Sequence, residues 1–501
     1  GAAMHGNLSN VAITGCVAIG HEALEGTLTT AANYTVAIGK EALKGITSGQ
    51  ENVAVGYQAG TSATGASNFT YIGYQAGYAG TGNHNSTYVG YRSGYGGGAN
   101  SGGERNAGLG RSTLENVNGG HDNVAVGKDA LQALTSGDNN VAIGANALEA
   151  NVTMSNNVAI GRYAADVLTA GQDCVFIGHY AGSSITNAGG GTIDGAIAIG
   201  REAMLGSSST TNAIGGAIAI GQDAMKSITT GAENIAIGMD ALTLVTSGGH
   251  NVAMGFESLK NLVSGESNIA IGYEAAEGFS VGESKNIAIG HETMTMFHEG
   301  SAGGDIDHNV AIGHQSFTGA TLDTNDRQVS GNIAIGSFAL NSTADNAHTG
   351  TIAIGYNALT ALTSGTGNTT VGYQAGNVLT TGSDNTIIGY DADVDANSRA
   401  GCIVIGKGLS LNTASDNVVE IGNNTNSMTY DLDGGDITVT SDVRTKKNIK
   451  DTKLGLKFIN KLRPVTYQTK ATSQYPKEFK VKNPSKKSSG KTWDGLIAQE
   501  V

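Results

Sequence analysis

The residues whose types could do chemistry lie near the end of the 501-residue chain, in the run S-D-V-R-T-K that contains Ser441, Asp442, Arg444 and Lys446. An unassisted serine hydroxyl is a weak nucleophile, but a lysine whose pKa is lowered by burial or a like charge can take its proton. A serine five residues before a lysine also arises by chance, so the spacing alone assigns no activity. The sequence has no G-x-S-x-G, H-E-x-x-H or phosphate-binding-loop motif.

The elements that must position these residues follow a repeat that begins near the start of the chain. A phrase of the form N-V-A-I-G followed by x-x-A-L-x-x-L-T-S-G recurs, and 123–137 and 234–248 come close to its full form. Taking the glycine that closes each I-G, V-G, L-G or M-G as an anchor gives 23 anchors from Gly20 to Gly422, and 13 of the 22 intervals are 17 residues long. A fixed step with occasional insertions predicts a solenoid, in which each coil buries its apolar face on its neighbours.

The N-V-A-I-G phrase predicts a short strand in every coil. Period-two alternation places Val and Ile on one face and Ala on the other. We expect the β-branched pair to fill the solenoid interior, and the Ala face to admit close approach of another subunit. Asn precedes Val in thirteen coils, and stacked amides at one corner are expected to form a hydrogen-bond ladder. The anchor glycine suits a corner that needs positive φ.

The second half of each repeat, A-L-x-x-L, is too short to be a secure helix. We favour a second short strand, with T-S-G as the return turn. Twenty-three coils at about 4.8 Å each would extend roughly 110 Å. The predicted fold is therefore an all-β parallel β-roll or β-solenoid over 1–422, followed by a neck strand over 423–440 and a small α+β segment over 441–501.

Charge and composition both change near residue 440. Residues 441–501 carry 15 Lys and Arg against 5 Asp and Glu, a net charge of +10, and hold all 3 prolines and the single tryptophan. Residues 1–440 carry 14 Lys and Arg against 38 Asp and Glu, a net charge of −24. An acidic body argues against phosphate contacts with nucleic acid, and no apolar run is long enough for membrane insertion. The lysine-rich run 477–491 has two interpretations, a nucleic-acid contact or a solvated loop.

Cysteines and insertions offer few binding candidates. Cys16, Cys174 and Cys402 each take the position usually held by Asn, many coils apart, so we interpret them as small buried fillers. Four long intervals insert residues, and the two longest carry Asp305, Asp307, His308 and Asp323, Asn325, Asp326, which could hold a cation, touch a sugar hydroxyl or simply be solvated. Tyr91 and Tyr95 could stack on a glycan, whereas His84, His121 and His250 are expected to be solvated turn residues. We predict no cofactor and no metal site.

The repeat resembles the heads of trimeric autotransporter adhesins of the YadA type, which are built from S-V-A-I-G-x-x-A phrases. The resemblance covers about 400 residues and implies a left-handed parallel β-roll that forms a homotrimer. The coils of this chain, at 17 residues, are longer than is usual in that family.

After the repeats, three motifs occur in order: S-D-x-R-x-K-x-x-I, then K-L-R-P-V-x-Y, then G-x-I-A-Q-E-V. The order resembles the intramolecular chaperone of phage tail spikes and fibres of the endosialidase type. Between the motifs the sequence predicts an amphipathic helix over 454–462, ended by Pro464, and a strand from Val465 to Tyr467. The family domain continues beyond A-Q-E-V, so 441–501 corresponds to its N-terminal part.

The chaperone resemblance also implies residue roles. Ser441 would be the nucleophile of a single self-cleavage, Lys446 the base that activates it, and Asp442 and Arg444 would shape the site. The expected function is the shaft of a bacteriophage tail fibre or spike, a homotrimer located in the virion tail. Its partners would be a host-surface glycan or protein and other tail proteins. The alternatives are a trimeric bacterial surface adhesin and, ranked last, a glycan depolymerase, for which the sequence offers no catalytic pair of carboxylates.

Overall fold

The computed structural model describes residues 14–28, 32–96, 103–186, 193–206, 213–295, 306–319, 328–343, 346–411, 413–433, 437–439, 464–468 and 492–496. The chain forms two compact units, Gly1–Thr440 and Ser441–Val501. The described residues contain strands and turns but no helix, which confirms the all-β solenoid prediction. The helix expected over 454–462 lies outside the described residues.

The strands are short, and most have three residues. In chain order they are β1 (Val17–Ile19), β2 (Val36–Ile38), β3 (Val53–Val55), β4 (Thr70–Ile72), β5 (Thr87–Val89), β6 (Ala107–Leu109), β7 (Val124–Val126), β8 (Val141–Ile143), β9 (Val158–Ile160), β10 (Val175–Ile177), β11 (Ile197–Ile199), β12 (Ile218–Ile220), β13 (Ile235–Ile237), β14 (Val252–Met254), β15 (Ile269–Ile271), β16 (Ile287–Ile289), β17 (Ile306–Asp307), β18 (Val310–Ile312), β19 (Val329–Ser330), β20 (Ile333–Ile335), β21 (His348–Thr349), β22 (Ile352–Ile354), β23 (Thr369–Val371), β24 (Thr386–Ile388), β25 (Ile403–Lys407), β26 (Val418–Asn423), β27 (Asn426–Asp431), β28 (Ile437–Val439), β29 (Pro464–Gln468) and β30 (Thr492–Leu496).

One parallel ladder runs through the first unit, with one strand per coil. Each strand pairs in register with the strand of the next coil, so that Ala142 lies beside Ala125 and Ala159. The pairing continues across the long coils, where Ile287 pairs with Val310. At the end of the ladder, β26 turns back into β27, and β27 pairs with β28, both antiparallel. A one-residue slip would exchange the two faces of every strand, so the repeat sequence fixes this register.

The predicted asparagine ladder is confirmed. Asn123 accepts the backbone N–H of Asn140 through Oδ1 at 2.9 Å, and its Nδ2 donates to the carbonyl oxygen of Gly137 at 2.7 Å. Asn140 repeats the pattern with Asn157 and Met154. All thirteen of these asparagines are buried. Each amide therefore satisfies backbone groups of the next coil that would otherwise be unpaired.

The anchor glycines also occupy the predicted corner. Gly144 has φ of +135°, and a Cβ built on it would lie 2.4 Å from the carbonyl oxygen of Gly161 in the next coil. A side chain at this corner would thus collide with backbone as well as strain φ. The coils approach each other too closely there for any residue except glycine.

The prediction of which strand face points inward is wrong. Ala142, at the centre of β8, is fully buried, whereas Val141 is half-buried and Ile143 is exposed. Other strands of the ladder repeat this pattern. The reason is volume, because the A-L-x-x-L residues, such as Leu148, fold into the same interior. A close-packed interior has room for one small side chain per strand opposite them, so Val and Ile are left outside.

The second strand predicted over A-L-x-x-L is also wrong, since none of the described coils has a separate strand there. The residues after each anchor form turns, and Leu148 and Asn146 within them have positive φ, at 50° and 62°. Alternating left-handed residues curve the backbone tightly and direct the leucine inward. A short additional ladder of β17, β19 and β21 lies just before the main strands β18, β20 and β22, outside the A-L-x-x-L segments.

Candidate functional site

One unusual surface of the first unit is an apolar stripe along the strand ladder, formed by the first and third residues of most strands. Its members include Ile19, Leu109, Ile143, Met254 and Ile388, all exposed. The stripe follows the ladder because in-register pairing places equivalent residues side by side. Monomeric soluble proteins rarely expose a continuous apolar surface of this extent, so it indicates an interaction face.

A second surface feature is a column of aromatic and basic residues immediately after the anchor glycines. Tyr74 stacks on Tyr91 with ring centroids 5.1 Å apart. Four residues further along the same two coils, Tyr78 stacks on Tyr95 at 5.0 Å as a separate pair. The guanidinium of Arg111 lies 6.0 Å from the Tyr91 ring, on the side of the following coil. Sugars bind aromatic rings through the ring faces, and these faces already contact neighbouring side chains. The hypothesis that Tyr91 and Tyr95 stack on a glycan is therefore not favoured.

The other candidates from the long coils are only partly described. Asp305, Asp323, Asn325 and Asp326 lie outside the described residues. Asp307 accepts the backbone N–H of Ser284 at 2.7 Å, so its carboxylate has a structural contact.

The turn histidines are more than solvated. His84 Nδ1 accepts the backbone N–H of Ser67, and His121 Nδ1 accepts that of Glu104, each at 3.1 Å. His250 forms an ion pair with Glu233 at 3.2 Å when it is protonated. These contacts join successive coils, as the asparagine ladder does.

Cys174 and Cys402 are buried fillers of the asparagine position, as predicted, whereas Cys16 is only half-buried. None of them forms a disulfide. Cys174 is fully buried, its N–H donates to Asn157 Oδ1 at 3.1 Å, and its Sγ lies 3.1 Å from the carbonyl oxygen of Ile193. Burial raises the pKa of the Cys174 thiol to about 11, which keeps the unreactive thiol form at neutral pH.

A buried carboxyl group makes one region sensitive to pH. Glu283 is fully buried, with Oε1 accepting the N–H of Ser280 at 2.8 Å and Oε2 having no hydrogen-bond partner among the described residues. Burial raises its pKa to about 7 from an ordinary value of 4.5. The protonated form is thus the one that the folded coil accommodates.

We expect Glu283→Gln to stabilise these coils at pH 8 by about 3 kcal/mol. Because burial raises the pKa of Glu283 in the folded state, the parent chain has its full stability below about pH 4.5 and loses part of it as the pH rises through 7. Below pH 4.5 the variant and the parent should be alike. Hydrogen exchange of the β15 and β16 amides across this pH range measures the effect. Glu266→Gln, at an exposed position nearby, is the control, and an equal gain there would contradict the assignment.

In the second unit, the structure describes two strands. β29 and β30 pair antiparallel, with Val465 opposite Gly495 and Tyr467 opposite Trp493. The predicted strand from Val465 to Tyr467 is confirmed. The pairing also joins the K-L-R-P-V-x-Y motif to the start of the G-x-I-A-Q-E-V motif, 30 residues later in the chain.

Comparison with known protein families gives one match. Residues 441–501 match the family described as the chaperone of endosialidase. No curated protein and no solved structure matches the chain. The match covers only this C-terminal segment, and it agrees with the resemblance drawn from the three motifs.

The endosialidase-chaperone segment contains all four predicted catalytic positions, Ser441, Asp442, Arg444 and Lys446, but these lie outside the described residues. Their roles therefore stay predictions. Across the part of the chain that the structure describes, no helix has the length and apolar character needed to span a bilayer. A repetitive β-solenoid followed by an endosialidase chaperone fits a tail-fibre-like or spike-like protein with a trimerisation chaperone.

Proposed function

We propose that the chain is the shaft of a homotrimeric bacteriophage tail fibre or spike that adheres to a host-surface glycan or protein. The observation that carries this proposal is the apolar stripe on a solenoid that precedes an endosialidase chaperone. The stripe supplies a face for self-association, and the chaperone supplies a means of assembling it. Location in the virion tail and contact with other tail proteins follow from the same proposal.

The stripe suits association with copies of the same chain. Its residues are aliphatic, and an acidic body with a net charge of −24 over 1–440 would otherwise keep chains apart. Obligate homo-oligomeric interfaces are large and hydrophobic, as this face is. The two resemblances in the sequence, to adhesin heads and to the endosialidase-type chaperone, support a proposal of three chains. The Val and Ile face thus takes the role that sequence reasoning gave to the Ala face.

We expect the triple substitution of Val126, Ile143 and Ile160 by lysine to convert the trimer to smaller species, because burying three charges per chain in an apolar interface is costly. Light scattering on a sizing column measures the native mass. The matched control places lysine at Ser136, Thr153 and Thr169, which are exposed turn residues of the same coils. This control variant should keep the trimer. A parent chain that is monomeric would contradict the trimeric shaft.

We also propose that the chaperone segment releases itself by hydrolysis of a peptide bond beside Ser441. In the proposed roles, Lys446 takes the proton of the Ser441 hydroxyl, and Asp442 and Arg444 arrange the site. The match to the endosialidase-chaperone family supports this assignment. The reaction occurs once per chain and has no separate substrate.

The self-cleavage test follows the mass of the chain after assembly. The parent is expected to yield a fragment that ends next to Ser441, while Ser441→Ala and Lys446→Met remain intact. Ser473→Ala, in the same segment, is the control and should be cleaved like the parent. A parent chain that stays uncut, or a Ser441→Ala chain that is cut, would contradict the assignment.

The alternative proposal is a trimeric bacterial surface adhesin, which the YadA-like repeat favours. The upstream and downstream sequence of the gene distinguishes the two, since a membrane-anchoring barrel favours the adhesin and a virion-attachment domain favours the fibre.

A further inference from the structure

Two consecutive coils place three metal-ligating side chains together. His291 and Glu292 directly follow the anchor Gly290, and His314 directly follows the next anchor, Gly313. One ligand atom from each of the three residues lies within 4.8 Å of the others, and His291 Nδ1 is 3.8 Å from Glu292 Oε1. Residues 23 apart in sequence meet because parallel pairing of β16 with β18 aligns the two anchors.

The donor set matches a divalent transition metal. Two imidazoles and one carboxylate are ligands that Zn²⁺ binds in a tetrahedral arrangement, with the fourth position open to water. Ligand atoms around such an ion are roughly 3.3 Å apart, given bonds of about 2.0–2.1 Å. Exposed side chains can close the remaining gap by small rotations, since His291 and Glu292 are 49% and 31% exposed.

Neighbouring contacts hold the three side chains close to one another. The His291 ring stacks between Tyr273, at 4.8 Å, and His314, at 5.2 Å. Metal bonds form in the plane of an imidazole, and the planes of the His291 and His314 rings are only 29° apart, so one of the two rings has to rotate out of the stack before both can bind one ion. Glu292 Oε2 accepts the side-chain N–H of Gln315 at 2.5 Å. Such second contacts fix the orientation of a ligating carboxylate.

The charge around the group favours a cation. Within the described residues, no lysine or arginine forms an ion pair with Glu292. The residue two positions after the anchor is also a glutamate in the two preceding coils, Glu257 and Glu274, so several carboxylates lie along this part of the column.

A second His-Glu pair in the chain shows what the site requires. His21 and Glu22 follow the anchor Gly20 in the same positions, with Nδ1 and Oε1 3.5 Å apart. The next coil supplies Lys40 where the other pair has His314, and Lys44 contacts Glu22 at 2.6 Å. In that coil a lysine ammonium takes the place of the second imidazole, so His21 and Glu22 provide a natural control.

We propose that His291, Glu292 and His314 bind one Zn²⁺-class divalent metal ion per chain and thereby join the two coils. The ion would bridge the ends of a 23-residue interval, one of the two longest in the solenoid. A ligand that binds only the folded arrangement stabilises it. This inference rests on the coil geometry and holds whether or not the chain is a tail fibre.

The test is isothermal titration of Zn²⁺ into the full-length chain, purified without a polyhistidine tag. The parent is expected to bind one ion per chain. His314→Lys, which recreates the arrangement of His21, Glu22 and Lys40, should weaken binding at least tenfold, and His291→Gln should do the same. His21→Ala should bind like the parent. Co²⁺ should give the visible absorption of a four- or five-coordinate site in the parent and lose it in His314→Lys.

Several results would overturn the proposal. These are a parent chain without stoichiometric Zn²⁺ binding, a His314→Lys chain that binds as tightly as the parent, or a His21→Ala chain that loses as much affinity. Circular dichroism and native mass identify a variant that fails to fold. Lysine already occupies this position in the coil of Lys40, so we expect His314→Lys to fold.

Discussion

Replacing Gly182 by leucine is expected to destabilise its coil by about 3 kcal/mol, and adding Phe176→Ala to the same chain is expected to recover part of that loss. Phe176 occupies the strand centre that most coils give to alanine, and its ring is fully buried. A Cβ built on Gly182 would lie 2.3 Å from the Phe176 Cδ1. The two positions therefore share one volume, filled either as alanine with leucine or as phenylalanine with glycine.

The two single substitutions destabilise the coil for different reasons, since one overfills the shared volume and the other leaves it partly empty. Phe176→Ala alone leaves a cavity and should cost about 3–5 kcal/mol. The double substitution recreates the pairing of Ala142 with Leu148, in which Leu148 adopts φ of 50°, close to the 65° of Gly182. It should lie within about 2 kcal/mol of the parent, because volume is conserved and leucine has to accept positive φ.

Urea unfolding of the parent, the two single variants and the double variant gives a double-mutant cycle. Hydrogen exchange of the β10 amides reports on the same coil. The reciprocal exchange, Ala142→Phe with Leu148→Gly, is the matched control and should show coupling of the same sign. Additive single effects would contradict the shared volume.

The second large effect is expected from Asn140→Asp, which should destabilise the adjoining coils by about 3–5 kcal/mol at neutral pH. Asn140 Nδ2 donates to Met154 O at 2.8 Å and to Asn123 Oδ1 at 3.0 Å. A carboxylate would present oxygen to both acceptors and would be buried with no cation beside it. Protonation would restore one donor, so the loss should shrink at acidic pH.

The neighbouring residue supplies the control for this substitution. Asn139→Asp introduces the same change at an exposed position, where φ is 60° and aspartate is tolerated, so its effect should stay within about 0.5 kcal/mol. Hydrogen exchange of Val141 and Val158 reports on the two coils. Equal effects at 139 and 140 would mean that the amide ladder does not stabilise the solenoid.

The proposed metal site was not predicted from the sequence. His291 and His314 lie 23 residues apart, in a sequence that usually repeats every 17, so a search at fixed spacing does not align them. Alignment by anchor glycines places both residues directly after consecutive anchors, but only the pairing of β16 with β18 shows that their side chains lie together. The positions Ser441 and Lys446 came from motif resemblance alone.

The sequence by itself determined the parallel ladder, the glycine corner and the asparagine column, because each depends on a local rule that repeats in every coil. Gly144 needs positive φ, Asn140 needs amide partners, and the anchors set the register. Only the tertiary structure decided which face of the strand is inside. Alternation separates Val141 and Ile143 from Ala142, but the choice between the faces depends on the volume that Leu148 already fills from across the coil.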